Sequence, residues 1–488
     1  MTPPHRLPAA ASLQFSPAEF ERRRSAICAA VDRPIVLLGH RDVPRNLPAY
    51  GYPFRQSSDV LYLTGCNEAG AGALLHDGAL TLFLPEAAPG DALWHGPMPG
   101  LEARAAGCYC DAVRPIAELE DAVAAALQGG AIATVAVADD RVNQQLSWWT
   151  GRPLSFGDVC GDDDLIEALC VLRRRKSDEE IAAMRRAVAI STQAHLAVAS
   201  ATRPGVSERA LVALFEAMLA GAGLSPGYAT ILTQRGEILH CHSHDDVLAA
   251  GAMLLVDGGG ELGAPYGNAA GYCADLTRTW PVSGRFSPRQ AAVYDVVHQA
   301  WRASIAAARP GARYRAVHDA AASVIAQFAI DEGLLRVSVE DAVAMGAHGV
   351  LFPHGVGHLL GLDVHDLEAY GDRGSYPSDG ARPTGFGSRF LRLDLPLEPG
   401  FVVTIEPGIY AVDAIFDDAA VRQSLGDAVD WCKLEAWRGF GGIRIEDDVV
   451  IADAGVDILS CDLPRGRSEV EAAVGGGMAL EALLRVGG

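Results

Sequence analysis

Four carboxylates open or close strands that are otherwise apolar, and this placement limits what the chain can fold into. Asp257 ends the run Gly251-Ala-Met-Leu-Leu-Val-Asp257, and Glu406 ends the similar run Gly400-Phe-Val-Val-Thr-Ile-Glu406. Asp275 opens Asp275-Leu-Thr-Arg-Thr-Trp280, and Glu446 lies in Gly442-Ile-Arg-Ile-Glu-Asp-Asp448, where apolar and charged residues alternate. Residues two apart share a strand face. Arg444 and Glu446 therefore lie together, opposite Ile443 and Ile445, and Asp275 is grouped with Thr277, whose hydroxyl is placed to support it. A fifth group, His358, stands in Phe352-Pro-His-Gly-Val-Gly-His358, with His354 before it and His365-Asp366 after it. Gly355, Gly357 and Gly361 mark a loop where backbone approaches a site closely.

Taken singly, an acid at a strand end is usually a turn residue or a cap, and a single histidine is usually a satisfied core or surface group. As a set they demand compensation, because several unpaired carboxylates in an apolar interior cost many kcal/mol. Arg444 alone cannot offset four acids; two divalent cations can. An oxygen-rich set with one imidazole, Asp257, Asp275, His358, Glu406 and Glu446, suits Mn²⁺ better than a thiolate-preferring zinc site. The run His240-Cys-His-Ser-His244 looks like a zinc motif, but no second cluster completes four ligands. It reads as a polar loop with one functional histidine, His240.

A length of 488 residues leaves room for two large domains. Residues 34–39, 60–64, 79–84 and 131–137 read as strands, and 17–31 and 115–127 as helices, giving a layered α/β unit. The basic stretch Arg173-Arg-Arg-Lys176 then leads into a helix opened by a Ser177/Glu180 capping box, with Ile181, Met184 and Val188 at helical spacing. The boundary is placed at 172, with a second domain over 173–466 and a tail over 467–488. The second domain carries an internal repeat. Arg203-Pro-Gly205 and Arg309-Pro-Gly311, 106 residues apart, each sit between two helical patterns. Each following helix ends at a glycine, and each half later supplies one of the glycine-to-acid strands. A duplicated helix-helix-strand module brings its strand-end acids together.

The formal net charge is −21, which argues against nucleic-acid and anionic-membrane partners. The uncharged stretch between Asp121 and Asp139 is too short and interrupted to span a bilayer, and the first residues lack a signal-peptide core. Ten cysteines without a repeated spacing read as reduced thiols of a cytoplasmic protein.

These residues resemble the aminopeptidase P and prolidase group of metallopeptidases, whose "pita-bread" fold is shared with methionine aminopeptidases. The blocks Leu255-Val-Asp-Gly-Gly259, Ala274-Asp-Leu-Thr-Arg-Thr279, His354 to Asp366, Thr404 to Tyr410 and Gly442 to Asp448 follow the family's order. Tyr52-Pro-Phe-Arg-Gln-Ser-Ser-Asp59 and Tyr62-Leu-Thr-Gly65 look like the N-terminal domain of bacterial aminopeptidase P. The resemblance implies an α/β (α+β) chain with a pita-bread catalytic domain of two pseudo-twofold related halves. It makes Asp257, Asp275, His358, Glu406 and Glu446 ligands of two divalent ions (Mn²⁺, with Co²⁺ or Zn²⁺ as alternatives), Asp275 and Glu446 bridging.

Carried over in the same way, Glu406 is the proton acceptor, His365 a transition-state histidine, His354 a substrate-handling one and His240 a third in the pocket. Arg444 supports the site, Tyr228 and Arg373 match substrate positions, and Trp94 resembles a tryptophan that reaches a neighbouring subunit in tetrameric members. The implied reaction is release of the first residue from peptides with proline second, by a homo-oligomer. Prolidase, restricted to Xaa-Pro dipeptides, is the nearest alternative. The metal-free creatine amidinohydrolases and binding modules of this fold lack the acid set. Segments 261–272, 373–395 and 413–440 read as inserts beside the ligand-bearing segments.

Overall fold

The computed structural model describes residues 14–47 and 49–476. The N-terminal unit is built on a four-stranded sheet of Ile35–Leu38, Gly72–His76, Ala79–Leu84 and Ala112–Pro115, in that order. The first three strands pair antiparallel and the last joins in parallel. Both faces are covered. Val36, Leu38 and Leu74 pack with Leu119, Val123 and Leu146, while Ile35, Leu37 and Leu75 face Ile27, Leu165 and Leu169. This is strict period-two alternation with apolar residues on both sides.

Helices Pro17–Ala30 and Leu119–Gln128 stand close to their expected places, the second preceded by a 3₁₀ turn over Ile116–Glu118. Residues 60–64 are not a strand. They belong to the helix Ser58–Thr64, stopped by Gly65 at φ +65°. All seven residues of that helix are buried, so their apolar pattern carries no period that separates helix from strand. Residues 131–137 run extended beside Ile35 through a single parallel bridge to Ala133 and form no laddered strand. The strands Gly72–His76 and Ala112–Pro115 were not expected from sequence.

The second unit follows the predicted duplication. Helices Asp178–Ala201 and Glu208–Gly221 flank Gly205 at φ +88°, and helices Pro288–Ala307 and Tyr314–Asp331 flank Gly311 at φ +82°. The first opens with the Ser177/Glu180 capping box. Each helix pair is followed by a three-stranded antiparallel sheet: Ile231–Thr233, Met253–Asp257 and Thr277–Pro281 in one half, Val402–Ile405, Asp447–Ala452 and Gly455–Ile458 in the other. The two sheets meet where Thr277 bridges Glu446, so the acid-bearing ends of both come together.

Residue 172 lies inside the helix Asp163–Arg174, not in a linker. Of the expected tail, residues 467–476 include the helix Arg467–Ala473, whose Val470 is fully buried and whose Arg467 pairs with Asp295; residues 477–488 lie outside the described residues. The three inserts are folded parts of the core, with Tyr266, Tyr376, Leu391, Phe416 and Leu434 buried. Among the described residues, no helix is long and apolar enough to cross a membrane.

Candidate metal centre

Each site residue sits where a regular element stops, so its side chain projects beyond the ladder. Asp257 is the last residue of Met253–Asp257, Glu406 follows Val402–Ile405, and Glu446 lies between Gly442–Arg444 and Asp447–Ala452. Asp275 precedes Thr277–Pro281. His358 comes from the glycine-rich loop, whose backbone lies against the strand bearing Glu406: Thr404 N donates to His358 O at 3.0 Å, and Glu406 N to Val356 O at 2.8 Å. A Cβ at Gly357 would stand 2.3 Å from Thr404 O and from Tyr314 Oη, and one at Gly259 would stand 1.7 Å from Ala274 O. These two glycines allow the segments that carry the acids and His358 to approach.

Asp275, His358 and Glu446, all buried, each offer a ligand atom within 4.8 Å of the others. His358 Nε2 is 3.4 Å from Asp275 Oδ2 and 3.9 Å from Glu406 Oε1. Tyr228 Oη is 2.5 Å from both Asp257 Oδ1 and Asp275 Oδ1. One hydroxyl proton cannot serve two carboxylates, so the pair needs a further proton or a cation between them. Arg444 donates from Nη2 to Asp257 at 2.5 Å, from Nη1 to Tyr410 Oη at 3.0 Å and from Nε to Thr277 Oγ1 at 3.2 Å. The Thr277 hydroxyl in turn donates to Glu446 Oε2 at 2.5 Å. Thr277 thus supports Glu446 across the two sheets, not Asp275 as strand alternation suggested. Asp275 is steadied instead through its backbone N–H, which donates to Asp448 Oδ2 at 3.0 Å.

The protein alone does not neutralise this cluster. Burial pushes Glu406 up to about 7, with Asp275 and Asp257 adding repulsion against the pull of His358 and Arg444. Burial and then the charges of Asp275, Glu406 and Asp257 hold Glu446 well above the carboxylate range. Asp257 is raised because burial outweighs Arg444. For Asp275, burial is outweighed by the hydrogen bond and charge of His358 and by Tyr228, so it falls below its ordinary value. Asp448 Oδ1 is buried without a hydrogen-bond partner among the described residues. An anionic, oxygen-rich set with one imidazole, strained by its own repulsion, fits divalent cations.

The cluster forms one wall of a cavity of about 1110 Å³ that both units line. His40, Arg55 and Phe156 come from the N-terminal side; Tyr228, His240, His354 and His365 from the other. Of the expected site residues, Asp257, Asp275, His358, Glu406, Glu446, Arg444, Tyr228, His240, His354 and His365 all meet here. Tyr228 is committed by its hydroxyl to the carboxylates of Asp257 and Asp275. Arg373 is elsewhere: it is exposed, pairs with Asp163 at 2.5 Å and does not line the cavity. The arginines that line the cavity are Arg55, Arg173, Arg389, Arg392 and Arg444. Trp94 is 79% exposed on the short helix Asp91–His95 and faces no part of this cavity.

Three residues were missed in the sequence. Tyr410 is hydrogen-bonded to Arg444 and, at 2.9 Å, to His354 Nε2. Arg392 donates to Glu368 at 2.7 Å in the cavity wall. Asp448 anchors Asp275. Tyr410 and Asp448 sit inside motif blocks, four and two residues after Glu406 and Glu446, and position there was their only signal. Arg392 had none.

His354 Nδ1 lies 2.7 Å from the Gly355 carbonyl, which can only accept, so that nitrogen carries the proton and Nε2 accepts from Tyr410. Burial, then Arg444, lowers His354 to about 3. Burial, then His358 and Arg392, lowers His365 to about 2. Both imidazoles are neutral near pH 7.

A duplicated strand scaffold converging buried carboxylates and an imidazole on a cavity defines a metal-dependent hydrolase. The sequence profile of metallopeptidase family M24 matches residues 182–453, and that of the aminopeptidase P N-terminal domain matches residues 20–135. A probable Xaa-Pro aminopeptidase of Paracoccidioides brasiliensis is 33% identical over 437 residues, 86% of this chain and 87% of that protein. The Xaa-Pro dipeptidase of Homo sapiens is 30% identical over 471 residues, 93% of this chain and 91% of that protein. Among solved structures, Pseudomonas aeruginosa aminopeptidase PepP superposes with a TM-score of 0.76 at 28% identity, covering 95% of this chain and 98% of that one. Zinc-substituted Escherichia coli aminopeptidase P in complex with product gives 0.76 and 28%, covering 94% and 98%. The chain belongs to metallopeptidase family M24 and has the two-domain aminopeptidase P fold, an N-terminal α/β domain followed by the M24 domain.

Proposed function

We propose that this protein is a dinuclear metalloaminopeptidase that releases the first residue from peptides with proline in second position. The observation that carries this reading is the convergence of Asp257, Asp275, His358, Glu406 and Glu446 on a cavity walled by both domains. With the domains divided at 172, described residues of the first, among them His40, Arg55 and Phe156, line one wall and the second, 173–466, carries the ligands. The donor set favours Mn²⁺. Bound there, the ions supply a Lewis acid and make water nucleophilic at neutral pH.

The chain's own residues do the rest. Glu406 accepts a proton from the attacking water at its carboxylate and returns it to the proline nitrogen as the C–N bond breaks. His365, neutral and reaching into the cavity, donates its ring N–H to the developing oxyanion. Both nitrogens of His354 are engaged, by Gly355 and Tyr410, so its ring offers a flat apolar face against which the proline packs. His240 lines the pocket beside them. A homo-oligomer in which exposed Trp94 and Leu93 contact a neighbouring subunit, and a cytoplasmic setting in which the ten unpaired cysteines stay reduced, complete the reading.

A length series decides the substrate. Purified protein loaded with Mn²⁺ is expected to release the first residue from Arg-Pro-Pro-type peptides, and to lose this on chelation. Arg392 favours a second reading, a dipeptidase, because a cation in the cavity wall suits the C-terminal carboxylate of an Xaa-Pro dipeptide. Cleavage of Xaa-Pro alone, with tripeptides and longer peptides left intact, would select it. Metal-loaded protein inert toward every Xaa-Pro substrate would refute both.

A further inference from the structure

The His365 ring makes no hydrogen bond to protein among the described residues; its nearest carboxylate, Glu368, is 3.6 Å away. It stands edge-on to His358, ring centroids 4.3 Å apart. With no side-chain partner to aim it, its place is set by the backbone on either side. That backbone is fastened by two carboxylates, Asp363 and Asp366, and nearly all of their partners come from the N-terminal domain or the residues that join it to the catalytic domain.

Asp363 Oδ1 accepts from Ser58 Oγ at 2.7 Å and from Arg55 Nη2 at 3.1 Å, and its Oδ2 accepts from Arg173 Nη2 at 2.8 Å. Arg173 Nη2 also reaches Asp366 Oδ1 at 2.7 Å, and Lys176 Nζ reaches Asp366 Oδ2 at 3.0 Å. Arg173 is itself held from the other side by Asp59, whose second oxygen accepts from Tyr370 Oη at 2.5 Å. Arg55 is seated on Glu261 at 3.2 Å. The loop so held is not at ease: Leu367 is buried with φ +68°, a left-handed conformation unusual for a residue of its bulk. Strain of this kind persists only where surrounding contacts over-determine the backbone.

We propose that Asp363, gripped by Arg55, Ser58 and Arg173, is a positioning residue that fixes His365 against the reacting carbonyl, so that the N-terminal domain takes part in catalysis through this loop. The proposal rests on the catalytic role given above to His365. The gripping residues act through the placement of one imidazole. A misplacement of about 1 Å costs on the order of a hundredfold in rate, whereas Asp257, Asp275, Glu406 and Glu446 come from other elements; His358 shares the loop, so metal content separates loss of His365 placement from loss of a ligand.

A double-mutant cycle tests this on the Mn²⁺-loaded full chain. Asp363→Asn and Arg55→Lys are each made alone and in a His365→Ala background, with metal content and thermal unfolding measured for every variant. Each single variant that folds and loads metal is expected to lower kcat roughly tenfold or more, with KM changed by less than about threefold. In the His365→Ala background the same substitutions should lower kcat no further. Wild-type kcat in both folded, metal-loaded single variants, or losses that multiply with that of His365→Ala, would overturn the proposal. Full activity in His365→Ala alone would instead sink the role assigned to His365, and the proposal with it. Should Asp363→Asn fail to fold, Arg55→Lys carries the cycle, since it retains the charge and leaves Asp363 intact.

Discussion

Thr277→Val isolates the link between the two sheets. The substitution conserves shape at a fully buried position and removes one hydroxyl, which accepts from Arg444 Nε at 3.2 Å and donates to Glu446 Oε2 at 2.5 Å. Two charged groups, both buried, lose a partner. A hydrogen bond to a charged group contributes about 1.5–3 kcal/mol, so the pair loses roughly 3–6 kcal/mol before relaxation. The Arg444 share appears as lost stability of the metal-free protein. The Glu446 share, on the order of 2 kcal/mol, falls on the ligand's aim and basicity. At about 1.4 kcal/mol per tenfold, metal affinity should drop roughly thirtyfold, within the 10–100-fold range found for residues that orient metal ligands. The assay is calorimetric titration of Mn²⁺ into metal-free protein, with urea unfolding of the same preparations. A dissociation constant within about twofold of wild type, together with an unchanged unfolding midpoint, would refute the assignment of Thr277 as the support of Glu446.

Tyr410→Phe removes the hydroxyl that joins Arg444 to His354 and frees one ring nitrogen, so kcat/KM for an Xaa-Pro peptide should fall roughly tenfold while metal content holds; an unchanged value would mean the His354 ring is fixed by packing alone. Gly357→Ala puts a Cβ 2.3 Å from Thr404 O and Tyr314 Oη, an overpacking worth at least about 1–3 kcal/mol, and calorimetry should show a lowered melting temperature together with weakened metal binding. His318 is buried with neither ring nitrogen partnered, and burial, then the neighbouring His348, lowers it to about 3. From pH 6.5 downward the unfolded chain therefore takes up a proton that the folded one refuses, so stability falls with pH by up to about 1.4 kcal/mol per unit. His354 and His365, lowered to about 3 and 2, act in the same direction, so urea unfolding between pH 7 and 5 should show that His318→Phe removes one group's share of the slope.

Much of this molecule is legible in the order of its residues. Acids at the ends of apolar strands imply a cationic site, because uncompensated burial of charge is too costly to survive. Gly205 and Gly311 mark equivalent turns because a left-handed backbone restricts the choice of residue locally. The capping box at Ser177 likewise needs only its own neighbours. The glycine turns and the capping box rest on interactions within one stretch of chain, which is why residue order alone displays them.

What the tertiary structure decided lies between elements. Thr277 turned from Asp275 to Glu446 because the two sheets meet at that residue, a contact between positions 169 apart. Residues 60–64 became helical because burial on every side erased the periodicity that distinguishes strand from helix. Arg373 went to the surface and Arg392 to the cavity although both lie in one insert, since the path of the loop, not its composition, chose between them. The grip on Asp363 joins positions as far as 308 apart. Local sequence fixes which side chains a segment offers and its conformational preference; only the packing of distant segments determines which of those side chains meet.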